Sequence, residues 1–210
     1  MLLYYITNRK EFPGDESQRR ERLLAKIAEA AHARVDYIQL REKDLPAREF
    51  EALAREAVRI CRATRNQKRE TRLLINCRSD VAIAAGADGV NLPSNDISAG
   101  DARAIWPAWN CVIAVSCHTN EEVRQAEAQR ADFAVFGPVF EKVGTSIKVG
   151  LEALRLACRG HIPVLAIGGV TAENALACLA AGAAGIAAIR LFQKNDIMQL
   201  AEQLRSNQDH

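Results

Sequence analysis

A short phrase recurs four times along this chain, each time at the start of an apolar run. In three copies an alanine or valine and then an aspartate precede hydrophobic residues, and in the fourth copy an alanine takes the place of the aspartate. The copies are Ala33–Ile38, Gly86–Val90, Arg130–Val135 and Gly182–Ile186. They are about 50 residues apart, roughly twice one strand-plus-helix unit of a small barrel. Because internal periodicity constrains architecture, the repeat predicts an eightfold alternation of strands and helices in which it marks every second strand.

Eight apolar segments alternate with helical patterns and supply the strands of this arrangement. They are Leu3–Thr7, Tyr37–Arg41, Leu73–Asn76, Gly89–Leu92, Val112–Ser116, Phe133–Gly137, Val164–Gly168 and Gly185–Ile189. Near-continuous hydrophobicity is typical of parallel strands that are covered on both faces. The chain is therefore predicted to form a single (β/α)8 TIM barrel, one domain over residues 1–210. An open doubly wound sheet is the alternative, and the fourfold repeat favours closure.

The helical patterns lie between these segments. Arg22–Ala33 and Ala47–Thr64 have apolar residues every three or four positions and charges on the other face. Thr119 followed by Glu122 predicts a capping box at the start of the fifth helix. The last helix is predicted over Asp196–Arg205.

The composition excludes several classes of function. The net charge is +2 with 26% charged residues, and no basic run is long enough to indicate nucleic-acid binding. No apolar stretch reaches the ~20 residues of a membrane span, and the N-terminus lacks the pattern of a signal peptide. Six cysteines without Cys-x-x-Cys spacing indicate free thiols rather than a disulfide framework. We therefore expect a cytoplasmic protein with a small-molecule partner, no nucleic acid and no membrane, and leave a homo-oligomer open.

The residues that follow each strand are the most informative, because active sites of such barrels are built at the carboxyl ends of the strands. The second strand leads into Gln39, Arg41 and Lys43, which alternation places on one side. One neutral donor and two cations suit an anionic ligand. A solvated turn, in which Glu42 and Asp44 neutralise the cations, is the alternative.

Histidine occurs once at this end of the predicted barrel. His118 follows the fifth strand, and histidine is a common general acid or base near neutral pH. The alternative is that its side chain bonds to the start of the next helix. Asn76, Asp96 and Ser116 also follow or end apolar runs, although such residues form turns for local reasons as well.

Glycines and a cation mark the last two strands. Gly168 and Gly169 precede a helix, where backbone N–H groups approach anions, and barrels often seat a phosphate between strands 7 and 8. Ile189 and Arg190 end the eighth strand, and the arginine is expected to add a charge-assisted bond. Gly137 opens a long loop after the sixth strand, which is either a lid or a flexible insertion.

Taken jointly, these residues resemble the thiamine phosphate synthase/TenI family of small β/α barrels. The carriers are Tyr37–Lys43, Ile75-Asn76, Ala87–Val90, Val115–Thr119, Phe136–Phe140 and Ala166–Val170, and the resemblance runs from Tyr4 to about Phe192. It implies an enzyme of thiamine biosynthesis that binds a thiazole ethyl phosphate.

One branch of the family consists of the synthases, which join a pyrimidine diphosphate to the thiazole phosphate and release pyrophosphate. Their pattern has an aspartate after the Asn of the third strand and another after the fourth, both holding Mg²⁺, and a Thr-x-Thr-Lys run after the sixth. Gln39, Arg41, Lys43 and Asp96 fit this pattern. Cys77 takes the place of the first aspartate, and a thiol is a poor ligand for Mg²⁺.

The TenI branch is similar at the places where the synthase pattern fails. Glu141–Gly144 does not reproduce the Thr/Lys run, whereas Leu92–Ser94 and Val139–Glu141 match the TenI pattern. In that branch a histidine at the position of His118 moves a proton during aromatisation of a thiazole tautomer, without a metal. The resemblance thus favours a TenI-like tautomerase with no cofactor. A synthase with Mg²⁺ held by Asp96 is the alternative, and a non-catalytic ligand-binding or regulatory protein is a further one.

Overall fold

The computed structural model describes residues 1–64, 70–106, 110–141 and 148–206. Eight parallel strands pair in chain order, β1 with β2 through to β8 with β1, and close a barrel. The strands are β1 (Leu2–Ile6), β2 (Tyr37–Leu40), β3 (Arg72–Asn76), β4 (Gly89–Pro93), β5 (Val112–Cys117), β6 (Phe133–Phe136), β7 (Val164–Ile167) and β8 (Gly185–Ala188). The predicted (β/α)8 barrel is confirmed, and the open sheet is excluded.

Helices follow the strands along the chain. They are α1 (Glu16–His32), α2 (Ala47–Ala63), α3 (Ser79–Ala85), α4 (Ala99–Ile105), α5 (Asn120–Ala128), α6 (Gly150–Ala157), α7 (Ala175–Ala180), α8 (Arg190–Gln193) and α9 (Ile197–Ser206). A 3₁₀ turn, Arg9–Glu11, lies between β1 and α1. None of the helices in the described ranges is long and apolar enough to cross a membrane.

Alternation along the strands separates two hydrophobic cores. In β1, Leu3 and Tyr5 belong to the core between barrel and helices, while Tyr4 and Ile6 belong to the core inside the barrel. A one-residue shift would exchange these faces. The same parity directs residues at the carboxyl ends of the strands either to the barrel mouth or to the helices.

The aspartates of the sequence repeat bind backbone at the opposite, N-terminal end of the barrel. The Oδ2 atoms of Asp36, Asp88 and Asp132 accept hydrogen bonds from the second residues of the preceding strands, at 2.9, 2.8 and 2.7 Å. The donors are the backbone N–H groups of Leu3, Leu73 and Ile113. Each aspartate therefore joins one odd-numbered strand to the start of the next, which explains why the phrase occurs at every second strand. Ala184, in the fourth copy, has no carboxylate to do so.

Helix starts follow capping rules that are local in sequence. Thr119 accepts from the Glu122 N–H, and the Glu122 carboxylate accepts from the Thr119 N–H, so the predicted capping box is confirmed. A second box, from Asp15 to Gln18, starts α1 six residues before the predicted start at Arg22. The apolar pattern did not indicate this start because polar and charged residues fill the first turn and leave no apolar period.

Candidate functional site

A chain of buried polar side chains crosses the interior of the barrel beneath its mouth. Gln39 Nε2 donates to Tyr4 Oη at 3.1 Å, Tyr4 Oη donates to Asn91 Oδ1 at 3.2 Å, and Asn91 Nδ2 donates to Ser116 Oγ at 2.9 Å. Burial raises the pKa of Tyr4 well above its ordinary value of 10.0, so the phenol stays protonated and donates at neutral pH. Gln39 is only 2% exposed. Of the predicted site residues, Gln39 and Ser116 therefore form part of the floor of the site.

Tyr4 and Asn91 were missed by the sequence analysis. The side chains of both residues point into the barrel, and alternation along the strand is the signal that could have indicated this. Asn91 lies between Val90 and Leu92, whose side chains point outward. A polar residue at an inward position of an otherwise apolar strand needs a partner inside the barrel.

Two cations, a thiol and a carboxylate follow the ends of β2, β3 and β4. Burial raises the pKa of the half-buried Cys77 thiol; the Asp96 carboxylate acts in the same direction, and the charges of Lys43 and Arg41 act against it. We call Arg41, Lys43, Cys77 and Asp96 the β2–β4 cluster. The three charged side chains are close enough to Cys77 to affect the pKa of its thiol. Asn76 lies beside it, with Nδ2 donating to the sulfur at 2.9 Å.

The β2–β4 cluster offers a metal ion one hard ligand. Asp96 Oδ1 accepts from the Ile97 N–H at 2.8 Å, and the neutral thiol of Cys77 is a poor partner for a hard cation. Within the described ranges, no three His, Cys, Asp or Glu side chains are grouped so that they could hold a metal ion.

His118 stands at the carboxyl end of β5 with an exposed side chain. Its Nδ1 lies 2.6 Å from the carbonyl oxygen of Gly137, which can only accept, so Nδ1 carries a hydrogen, and in the neutral ring the lone pair is on Nε2. The backbone N–H of His118 donates to the Glu122 carboxylate. Because the described bond of the His118 ring is to Gly137, the alternative in which the ring bonds to the helix start is wrong.

The ends of β7 and β8 open into a cavity of about 820 Å³. Gly168, Gly169, Ile189 and Arg190 all line this β7–β8 cavity, as the sequence predicted for a shared anion site. Among the described residues, the N–H groups of Gly169 and Arg190 have no hydrogen-bond partner. Free backbone donors of this kind bind anions. The cavity does not include the β2–β4 cluster, which lies on the other side of the barrel.

Acidic side chains border the β7–β8 cavity, and two of them are paired. Glu11 accepts from Arg190 Nε at 3.1 Å, and Glu141 accepts from Lys148 Nζ at 2.7 Å. Arg190 is 60% exposed, so its remaining donors can reach a ligand. Residues 142–147 of the predicted lid loop lie outside the described residues.

The glycines at this end are required by the backbone. Gly168 and Gly169 have φ of +93° and +65°, and a Cβ on Gly169 would lie 2.6 Å from the Glu141 oxygen and 2.7 Å from Phe140 Cβ. A side chain at position 169 would therefore perturb the fold as well as the approach of an anion.

Comparison with known proteins agrees with this fold and shows the family. A protein named putative thiamine-phosphate synthase from Geobacter sulfurreducens is 42% identical over 191 residues, covering 89% of this chain and 84% of the relative. A thiamine-phosphate synthase from Clostridium novyi is 35% identical over 210 residues, covering 98% of this chain and 97% of the relative. The structure of a thiamine phosphate pyrophosphorylase from Pyrococcus furiosus superposes with a TM-score of 0.81 at 32% identity, covering 98% and 94% of the two chains. The family profile described as thiamine monophosphate synthase matches residues 3–192, and the chain belongs to this family of thiamine-biosynthesis enzymes.

Proposed function

We propose that this protein is a thiamine-phosphate synthase, which joins a pyrimidine diphosphate to a thiazole phosphate and releases pyrophosphate. The observation that supports the proposal is that two separate groups of residues suited to anions lie at one barrel mouth, the β2–β4 cluster and the β7–β8 cavity. A reaction between two phosphorylated substrates needs both, whereas a reaction on one phosphate ester needs only one. The names of the Geobacter and Clostridium relatives support the same reaction.

In this proposal the β2–β4 cluster binds the diphosphate. Arg41 presents paired donors and Lys43 a point charge, the two ways in which proteins hold phosphate oxygens. Among the described residues neither side chain has an ion-pair partner that would have to be displaced. The phosphate of the thiazole binds at the opposite side, on the free N–H groups of Gly169 and Arg190.

A magnesium ion fits this arrangement as a partner of the diphosphate. Proteins hold Mg²⁺ with one or two carboxylates, and substrate phosphates and water supply the other oxygens. Asp96 is the carboxylate available here, and Cys77 contributes none. When bound, the ion would neutralise the negative charge that the departing pyrophosphate acquires.

A second candidate is the tautomerisation of a thiazole carboxylate, a reaction of one phosphate ester. The geometry of His118 favours it, because the Gly137 carbonyl fixes the tautomer in which Nε2 is basic. One imidazole in this state could take a proton from carbon and return it elsewhere. Cys77 favours it too, since this reaction needs no Mg²⁺.

Two assays on the same preparation distinguish the candidates. One supplies the pyrimidine diphosphate, the thiazole phosphate and Mg²⁺ and measures pyrophosphate; the other supplies the carboxylated thiazole tautomer without metal and measures the aromatic product. Lys43→Ala should weaken the first reaction, and Arg55→Ala, on the exposed face of α2, is the matched control. Activity in the second assay alone would contradict the synthase proposal. No activity in either assay, with binding of the phosphate ester retained, would indicate a ligand-binding protein.

A further inference from the structure

Glu42 is buried although the cations on either side of it reach the surface. It is 3% exposed, while Lys43 is exposed and Arg41 is partly exposed. A carboxylate leaves water only where hydrogen bonds and opposite charge replace its hydration. Glu42 therefore has a specific partner set, and none of the roles above uses it.

The carboxylate of Glu42 binds the end of β1. Its Oε1 accepts from Thr7 Oγ1 at 2.7 Å, and its Oε2 accepts from the backbone N–H of Arg9 at 3.0 Å and from Arg9 Nη1 at 3.1 Å. Thr7 Oγ1 in turn accepts from the backbone N–H of Arg41 at 2.9 Å. The segment Arg41–Lys43 is thus bonded to the residues that follow β1 in two ways. One is the backbone N–H of Arg41, and the other is the side chain of Glu42, which lies between the two cations in sequence.

Arg9 extends this attachment to the next acidic residue. It is 3% exposed, and its Nη1 and Nη2 donate to the two oxygens of Asp44 at 2.7 and 2.8 Å. Glu42 and Asp44 therefore both bind Arg9, while the alternate residues, Arg41 and Lys43, are left for a ligand.

We infer that Glu42 is a positioning residue that holds Arg41 and Lys43 at the barrel mouth for the diphosphate. Buried ion pairs add little net stability compared with an apolar core, so stability alone does not account for this one. Long cationic side chains on a mobile turn lose conformational freedom on binding, and a turn fixed in advance reduces that loss. The inference rests on the proposed function of Arg41 and Lys43.

The test measures binding of inorganic pyrophosphate and of inorganic phosphate by calorimetry, well below the melting temperature. We expect Glu42→Gln to raise the Kd for pyrophosphate by about tenfold, since small displacements of binding groups are costly. The Kd for phosphate, which binds at the β7–β8 cavity, should not change. Glu152→Gln, which removes an exposed partner of Arg155, is the matched control and should change neither.

A pair of variants at Thr7 covers the case in which Glu42→Gln does not fold. Thr7→Val removes the hydroxyl that joins Glu42 to the Arg41 backbone at nearly constant volume, and Thr7→Ser keeps it. We expect Thr7→Val to weaken pyrophosphate binding and Thr7→Ser to bind as the unaltered protein does. Hydrogen exchange of the amides from Arg41 to Leu45 should accelerate only in Thr7→Val.

Three results would overturn the inference. Equal weakening of both anions would mean that Glu42 acts only through stability of the barrel. Unchanged pyrophosphate binding in Glu42→Gln and in Thr7→Val would mean that the cations are positioned without it. Absence of pyrophosphate binding by the unaltered protein would remove the anion role of Arg41 and Lys43, and this inference together with it; only this last result also contradicts the proposed function.

Discussion

Replacing His118 by asparagine separates the two candidate reactions. The substitution removes the imidazole at the carboxyl end of β5 and keeps an amide that can bond to the Gly137 carbonyl. Tautomerisation depends on a proton acceptor and donor, so its rate should fall by ~10²–10⁴, the usual contribution of general acid–base catalysis. Pyrophosphate release requires no such group there and should change by less than about tenfold.

The structure also sets the effect on stability. The described contact of the His118 ring is the bond from Nδ1 to the Gly137 oxygen, and a net hydrogen bond contributes about 1 kcal/mol. Complete loss of this bond, with no replacement by the amide, would lower the melting temperature of a chain of this size by about 2–4 °C, and this is the largest effect that we expect. A 10²–10⁴-fold rate loss is about 2.7–5.4 kcal/mol in the activation barrier, so loss of stability is too small to account for it.

Thr119→Ala is the matched control. It removes the hydroxyl that accepts from the Glu122 N–H, and loss of such a cap costs about 1 kcal/mol. We expect a similar fall in melting temperature with unchanged turnover in both assays. Turnover per folded molecule and the melting temperature are measured on the same preparation of each variant.

The reasoning would be refuted by a His118→Asn variant that keeps its rate of tautomerisation, because the Nε2 lone pair would then have no chemical role. It would also be refuted if Thr119→Ala lost as much turnover as His118→Asn. The position of helix α5, rather than the imidazole of His118, would then control the rate.

Three further predictions concern other parts of the mouth. Cys77 has a φ of +61°, a conformation that aspartate tolerates, so the Cys77→Asp variant should fold. Its added carboxylate should lower the Mg²⁺ concentration that gives half-maximal pyrophosphate release, and an unchanged Mg²⁺ dependence would contradict a metal beside this position. Gly169→Ala should destabilise the protein by about 1–3 kcal/mol and weaken thiazole-phosphate binding, because its Cβ would overlap the Glu141 backbone; chemical denaturation and calorimetry measure both, and a wild-type denaturation midpoint would count against it. The Arg9 guanidinium holds the pKa of Asp44 well below its ordinary value, so the stabilisation is complete above about pH 4 and is lost as the pH falls towards the lower native pKa. Asp44→Asn should therefore show a shallower loss of stability in acid than the unaltered chain, and equal slopes would refute this.

The fold could be predicted because its signals are periodic. Each strand ends within one residue of its predicted limit or at it, since apolar runs between turn residues report burial directly. The short helix α8 was missed because four residues do not complete a hydrophobic period. The start of α1 was missed for the related reason that its first turn lies in solvent.

The candidate site could be predicted where its residues lie at the carboxyl ends of strands or directly after them. Arg41, Lys43, His118 and Gly169 were found in this way, because position at the end of a strand is visible in the sequence. The bonds from Tyr4 to Asn91 and from Arg9 to Glu42 were not, because they join residues 87 and 33 positions apart. Nothing local specifies such a partner, and only the closed barrel brings each pair together.

The aspartates at the base of the barrel have a consequence for the mouth at its other end. Each carboxylate accepts from one particular backbone N–H, so it fixes how far two adjacent strands are staggered. In a closed barrel the stagger determines the tilt of the strands and therefore which side chains converge at the top. Residues that never meet a substrate thus set the angular spacing between the β2–β4 cluster and the β7–β8 cavity. The loops that follow the strands can therefore diverge in sequence while bonds at the other end of the barrel keep the distance between the two regions constant.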